Sequence, residues 1–337
     1  MNVPKIVVMT PVKNEAWILD RFLAVTSQFA DHIVVADQNS SDESVAICRK
    51  FPKVVLIKND VKQFNEAERQ LLLIAKAREV SPGPRILLAL DADEILAANA
   101  AEQLGWKTML QAKPGTVLCF EKPDLYLSPT QCIRFTIPWP LGYVDDGVEH
   151  QPKQIHSIRV PMPSYASRLS IYDVKVLHYG LLRQQAQASK MRLYCVLENI
   201  KSTLPLTSRR VMYAAGKDYA KAGRLENVQP EWLAGWEKLG IDMQSIVSQK
   251  YYWQDFEVLR HFEQSGEQRF WKDDIWNFDW EACRLFAQSC QMTGIPQKTI
   301  TGPSKALAAG LPIVDRVIGS ARKVKTSFFG QAGPRWL

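Results

Sequence analysis

The chain has 337 residues, of which 46% are hydrophobic and 23% charged, with a formal net charge of +7 and a sequence pI of about 9.0. That length and composition give a packed core, in one large α/β domain with an extension or in two domains. No apolar run approaches the roughly 20 residues of a membrane span, the N-terminal apolar stretch is too short for a signal peptide, and six scattered cysteines without a CxxC pair suggest free, mostly buried thiols in a reducing compartment.

The first half alternates between two periodicities. KIVVMT (5–10) reads as a strand, and a helix follows from about Asn14 to Gln28, with Ile18, Phe22 and Val25 on one face. HIVVAD (32–37) is a second strand, followed by a helix over about 42–51, and KVVLIK (53–58) is a third strand. The stretch NEAERQLLLIAKAREV (65–80) is a helix opened by Asn65 as cap with Glu68 three residues on, and SPGP (81–84) ends it. RILLAL (85–90) is a fourth strand, which stops at the carboxylates Asp91, Asp93 and Glu94. Strand-helix alternation of this kind predicts a doubly wound, mostly parallel sheet. Such sheets bind ligands outside the carboxyl ends of their strands, and three of the four predicted strands end there in polar residues.

From about 115 to 180 the pattern changes. TVLCFE, CIRFTI and DVKVLH look like strands without intervening helices, among prolines that mark irregular connections. A mixed sheet finishing the domain is expected here. From 184 onward the reading is helical: 184–200, 208–223 and 252–266 are predicted helices. Six of the ten tryptophans fall between 232 and 280, where packing explains them better than ligand stacking. The last segment combines Ile313, Val314, Val317 and Ile318 with Lys305, Arg316, Arg322, Lys323, Lys325 and Arg335. It reads as a docked helix, with a membrane-surface helix or a nucleic-acid arm as alternatives.

No GxGxxG follows the first strand, there is no GxxxxGK[ST], and there is no GxSxG elbow. A dinucleotide-dependent dehydrogenase, a P-loop NTPase and an α/β hydrolase are therefore disfavoured. The positive candidates are carboxylates. Asp91 and Asp93 stand two apart at a strand end, so their side chains can converge on one Mg²⁺ or Mn²⁺. The plain alternative is a solvated acidic turn. Asp37 ends the second strand, where a carboxylate can accept from a ribose hydroxyl or a base N–H, beside Ser40, Ser41 and Asp42, which suit a helix cap. His178 ends a later strand; taken alone it is more readily a structural histidine than a ligand.

Three stretches, TPVKNEAWI, VADQNSSDES and LALDADEIL, in this order and spacing, resemble the nucleotide-binding half of family 2 glycosyltransferases with the GT-A fold. The resemblance covers residues 4–100 well, reaches more loosely to about 195 through His178-Tyr179-Gly180, and leaves out the rest. It implies a catalytic domain over 1–183, with a nucleotide-sugar half to residue 100 and an acceptor half beyond it, and a helical extension with a basic amphipathic tail over 184–337. It further implies that Pro11, Asn14, Glu15 and Asp37 meet the nucleoside, that Arg69 lies near the donor, and that Asp91, Asp93 and His178 form the metal site for Mn²⁺ or Mg²⁺. Lys190 and Arg192 are expected at the departing diphosphate, with a solvated helix face as the alternative. The sequence departs from the family pattern at Asn39 and Glu43, where glycine is usual, which leaves the base open.

Relatives generally invert the anomeric centre, with a carboxylate taking the acceptor proton. GYVDDGVEHQ (142–151) offers Asp145, Asp146 and Glu149; Asp146 or Glu149 is the expected base and Asp124 a weaker candidate. The resemblance implies a nucleoside-diphosphate sugar as donor, with UDP-sugars the commonest. The acceptor is expected to be a cell-surface glycan or glycolipid, with the enzyme cytoplasmic and held at the inner membrane face by its tail. Hydroxymethylated bases of DNA, as in some phages, are the alternative acceptor. A non-catalytic nucleotide-sugar-binding protein and a nucleotidyltransferase are the readings from other classes.

Overall fold

The structure, a computed structural model, describes residues 3–59, 65–135, 137–153, 157–202, 204–213, 223–307 and 310. It divides into two compact units, Met1–Leu182 with Tyr219–Val247 and Arg183–Asp218 with Ser248–Leu337.

The first unit is built on strands β1 (Lys5–Val12), β2 (His32–Asp37), β3 (Val54–Lys58) and β4 (Arg85–Ala89), joined by helices α1 (Ala16–Thr26), α2 (Ser44–Cys48) and α3 (Glu66–Val80). The middles of β1, β2 and β4 are apolar runs because both faces are covered, while the edge strand β3 is only half-buried. In β1, Ile6 and Val8 pack with Leu19, Phe22 and Leu23 of α1, while Val7 and Met9 pack on the other face with Leu73, Ile74 and Ala77 of α3. Each such side chain contributes about 1.5–3 kcal/mol by leaving water. The Asn65 half of the expected capping box is present: its side chain accepts from the backbone N–H groups of Ala67 and Glu68 at 3.1 and 3.4 Å.

Past β4 come β5 (Glu94–Leu96), α4 (Leu104–Leu110), β6 (Thr116–Glu121), β7 (Asp124–Tyr126), β8 (Ser128–Arg134), β9 (Trp139–Val144) and β10 (Ser167–His178). A last strand, β11 (Arg224–Asn227), pairs antiparallel with β8. The sheet order is β11-β8-β7-β10-β6-β9-β4-β1-β2-β3, with β5 paired to β10. The strands β3, β2, β1 and β4 are parallel to one another, and β9 runs antiparallel between β4 and β6. The mixed second half is thus as read from the sequence, but β5, β7, β9 and β11 were not foreseen, and CIRFTI begins inside β8 rather than starting a strand. The short helix α7 (Ala234–Lys238) belongs to this unit, and Trp236 Nε1 donates to the Leu96 carbonyl at 2.8 Å.

The second unit holds α5 (Gln184–Lys201), α6 (Leu206–Met212), α8 (Trp253–Ser265) and α9 (Trp280–Ser289). Its core is aromatic, with Phe262 stacked on Trp276 at 5.5 Å and edge-on to Trp280 at 5.1 Å. That agrees with reading the tryptophans as packing. Of the predicted helix 208–223, residues 214–222 lie outside the described residues, as do 311–337, the basic tail. No helix among the described residues is long and apolar enough to cross a membrane. Five of the six cysteines are buried and Cys290 is exposed, all as free thiols.

Candidate active site

The carboxyl ends of the parallel strands gather the charged residues. The turn after β4 is held by the Glu94 N–H donating to the Asp91 carbonyl at 2.9 Å, and by the Asp91 N–H donating to Glu94 Oε2 at 3.0 Å. Glu94 is 1% exposed. It accepts from both ends of the Arg159 guanidinium at 2.7 and 2.9 Å and from Lys122 at 3.1 Å. Burial pushes its carboxyl up, but Arg159 and Lys122 outweigh that and hold it well below the usual carboxylate range. Arg159 also reaches Asp91 Oδ1 at 3.1 Å. The Lys122 ammonium lies over the exposed ring of Trp139 at 4.6 Å.

His178 ends β10 beside Asp124, the first residue of β7. Its Nδ1 is 2.5 Å from Asp124 Oδ1 and its Nε2 is 3.5 Å from Asp93 Oδ2. Burial and the Lys122 ammonium push its pKa down, but Asp93 and Asp124 push harder in the other direction and it settles at about 9. Gly180 makes the approach of His178 to Asp93 possible. A Cβ there would stand 2.8 Å from His178 Nε2 and 2.9 Å from Asp93 Oδ2.

Among the described residues, no three His, Cys, Asp or Glu side chains are grouped so as to hold a metal ion. Of the three expected ligands, Asp93 and His178 bring a carboxylate oxygen and a ring nitrogen, both donor types that divalent cations accept, within 3.5 Å of each other, with no Cβ on Gly180 beside them. The third, Asp91, faces Arg159 instead.

The residues expected at the nucleoside lie at the same edge. Pro11 lines a small pocket with Met9, Arg69, Leu73, Ala89 and Arg159. Arg69 donates to Gln38 Oε1 at 3.0 Å. Asp37 is buried at the end of β2 and accepts from the Ser40 N–H at 3.2 Å. The two loops brace one another: the Asn14 N–H donates to Ser40 Oγ at 2.9 Å, Asn14 Oδ1 accepts from the Ser41 N–H at 2.7 Å, and the Glu15 N–H donates to Ser44 Oγ at 3.0 Å. The Glu15 carboxylate accepts from Trp17 Nε1 at 2.7 Å. Asn14 and Asn39 both have φ of +56°, a conformation that asparagine tolerates better than most residues. At Asn39 it explains how the turn does without the expected glycine.

The residues expected as the base are not all brought here. Because β9 runs antiparallel to β4, its end lies at the starting edge of the sheet, with Val144 opposite Ile86 and the Asp145 N–H donating to the Arg85 carbonyl. Asp145 is bound there by Arg78 at 2.8 Å and Arg85 at 2.7 Å. Asp146 accepts from Tyr143 at 2.7 Å and Tyr165 at 2.9 Å. Burial raises its carboxyl, but the hydrogen bonds from Tyr143, the Val148 N–H and Tyr165 together outweigh it and hold the carboxyl below its usual value. The length of β4 separates this edge from Asp91, about 20 Å at the rise of an extended chain. From there the chain returns along α3. The Val148 carbonyl accepts from Arg78, His150 Nε2 donates to Gln70 Oε1 at 2.8 Å, and the Ser157 N–H donates to Glu66. Glu149 is exposed on this strap, which delivers Arg159 to Asp91.

Lys190 and Arg192 are in the second unit. The Lys190 ammonium lies 5.8 Å from the Tyr194 ring. Arg192 is buried, donates to Asp255 Oδ1 at 3.0 and 2.6 Å, and stacks on Phe278 at 3.9 Å.

Lys122 and Arg159 were not singled out from the sequence, and Glu94 was read only as part of the acidic run after the fourth strand. Lys122 and Asp124 follow directly on the strand TVLCFE, so the strand-end rule that found Asp37 and Asp91 points to them as well. Arg159 sits in IHSIRVPMP, which carries no local signal.

Residues 7–107, less than a third of the chain, match the family described as Glycosyl transferase family 2. No curated protein matches the sequence. Among solved structures, the chain is similar to a 4-diphosphocytidyl-2C-methyl-D-erythritol synthase, at 19% identity over 36% of this chain and 61% of that one, with a TM-score of 0.28. It is also similar to glucosyl-3-phosphoglycerate synthase from Mycobacterium tuberculosis, solved with Mn²⁺, UDP and glucosyl-3-phosphoglycerate, at 17% identity over 36% of this chain and 44% of that one, with a TM-score of 0.26. The chain spans less than two thirds of either structure.

Proposed function

We propose that the first unit is a metal-dependent, inverting glycosyltransferase that moves a sugar from a nucleoside-diphosphate donor to an acceptor hydroxyl. The observation that supports it most is the pairing of Asp93 with His178 at the carboxyl edge of the parallel strands, just past the end of β4. Asp91 and Asp93 lie within residues 7–107, the segment matching the glycosyl transferase family, and His178 lies beyond it.

In this reading Asp93 and His178 hold Mn²⁺ or Mg²⁺, with Asp91 as third ligand or as partner of the donor ribose. The cation supplies Lewis-acid stabilisation of the departing nucleoside diphosphate. Pro11, Asn14, Glu15, Asp37 and Arg69 form the nucleoside side of the site, with Asp37 accepting from the sugar or the base. A UDP-sugar is the favoured donor, and a surface glycan or glycolipid the favoured acceptor. Of the two carboxylates expected as base, this reading keeps Glu149, on the strap that returns toward the site, and gives Asp146, Lys190 and Arg192 no part.

The test is thermal stabilisation by a panel of nucleoside diphosphates and their sugars, with and without Mn²⁺. Manganese-dependent stabilisation by one base, lost in Asp93→Ala, supports the proposal. No stabilisation by any of them, or a fully active Asp93→Ala enzyme, overturns it.

A further inference from the structure

Arg159 is bound twice, and the two attachments differ in kind. Its fork on Glu94 is bidentate, at 2.7 and 2.9 Å, and the carboxylate it grips is almost fully buried. Its contact with Asp91 is a single 3.1 Å approach to a side chain that is 39% exposed. Glu94 is meanwhile also neutralised by Lys122 and accepts the Asp91 N–H. The fork is therefore an anchor, and the Asp91 contact is the exchangeable one. The anchored guanidinium also lines the pocket formed by Met9, Pro11, Arg69, Leu73 and Ala89, so two guanidinium groups border one space at the ends of β1 and β4. A planar, always-charged fork of this kind suits phosphate oxygens.

One carboxylate cannot serve Arg159 and a divalent cation at full strength together. Building on the glycosyltransferase reading, we propose that Arg159 exchanges partners: it holds Asp91 while the site lacks donor, and turns that edge to the donor's diphosphate when donor binds, which frees Asp91 for the cation. Anchoring to Glu94 makes this a small motion of one contact rather than of the whole side chain. Donor and cation then bind with positive coupling, because each removes an obstacle to the other.

The experiment measures affinity for Mn²⁺ alone, for inorganic pyrophosphate alone, and for the nucleoside diphosphate that the wild type binds, with and without Mn²⁺. It compares the wild type with Arg159→Lys and with the double variant Glu94→Gln/Arg159→Gln. The double variant replaces the buried ion pair with two amides and leaves no buried carboxylate unpaired; the lysine variant keeps the charge and loses the fork. In the double variant, Mn²⁺ alone is expected to bind more tightly and pyrophosphate more weakly, each by about fivefold or more, and the coupling to collapse. Arg159→Lys should fall between. Mn²⁺ affinity that is unchanged or lower in both folded variants overturns the proposal, and so does unchanged pyrophosphate affinity. If the wild type binds no nucleoside diphosphate, the glycosyltransferase reading fails, while the Mn²⁺ and pyrophosphate measurements still decide the role of Arg159.

Discussion

His178 gives its Nδ1 edge to Asp124 at 2.5 Å, and this leaves its Nε2 edge toward Asp93 at 3.5 Å. A carboxylate on one ring nitrogen fixes the tautomer and orientation of the other, which is how proteins commonly prepare a histidine for a cation. Asp124→Asn should therefore lower Mn²⁺ affinity by about 10- to 100-fold while the protein stays folded. Calorimetric titration with Mn²⁺ checks this, with circular dichroism as the folding control. An unchanged affinity would reduce Asp124 to a surface carboxylate.

The same geometry sets a pH dependence. With its pKa raised to about 9, His178 is charged at neutral pH and its Nε2 proton competes with any cation. Mn²⁺ affinity should rise with pH, by up to tenfold per unit, and level off above about 9. Stability without metal runs the opposite way. A histidine whose pKa is higher folded than unfolded contributes stability that is complete below about pH 6.5 and is lost as pH rises through about 9. Urea unfolding in metal-free buffer at several pH values should show that decline, and His178→Gln should remove it.

Gly180 offers a test of the close approach itself. Adding one methyl group sets a Cβ within 3 Å of both His178 Nε2 and Asp93 Oδ2. Gly180→Ala should cost about 1–3 kcal/mol at most in stability, as overpacking does, but reduce metal-dependent donor turnover by tenfold or more. Equal losses of stability and Mn²⁺ affinity in Gly180→Ala and at an unrelated packed glycine would contradict this.

How far the sequence carries is clearest at the two ends of β9. Strands β1, β2 and β4 were legible because burial on both faces leaves apolar runs, β3 because its half-buried residues are still apolar, and the Asn65 cap because its chemistry is local. The carboxylates after β4 followed from the rule that binding residues leave a parallel sheet at its carboxyl edge. The rule could not be applied to GYVDDG, whose acids were read from the family resemblance alone, because β9 is short, interrupted by Pro140 and Gly142, and antiparallel. Direction is a property of the sheet, not of the six residues, and reversing it moves Asp146 to the opposite edge. Arg159 was invisible for a related reason: its partners Asp91 and Glu94 lie 65 or more positions earlier in the chain. Asp146→Asn should accordingly leave donor turnover within about threefold of wild type, with only the modest stability loss expected for hydrogen bonds weakened at Tyr143 and Tyr165. A loss of several hundredfold in a folded protein would bring Asp146 back as the base.

Arg192 can be assigned by separating stability from binding. Its guanidinium donates twice to Asp255, which is fully buried and also accepts the Tyr252 N–H at the start of α8. Burial raises the Asp255 carboxyl pKa, and the Arg192 charge only partly offsets this. Arg192→Met strands that carboxylate and should cost about 3–5 kcal/mol in urea unfolding, whereas Arg192→Met with Asp255→Asn should recover much of the loss. Nucleotide affinity measured on the folded fraction should be the same in the double variant as in the wild type. A tenfold loss there, with stability restored, would return Arg192 to the diphosphate, because packing alone has no reason to change nucleotide affinity once the buried charge is gone.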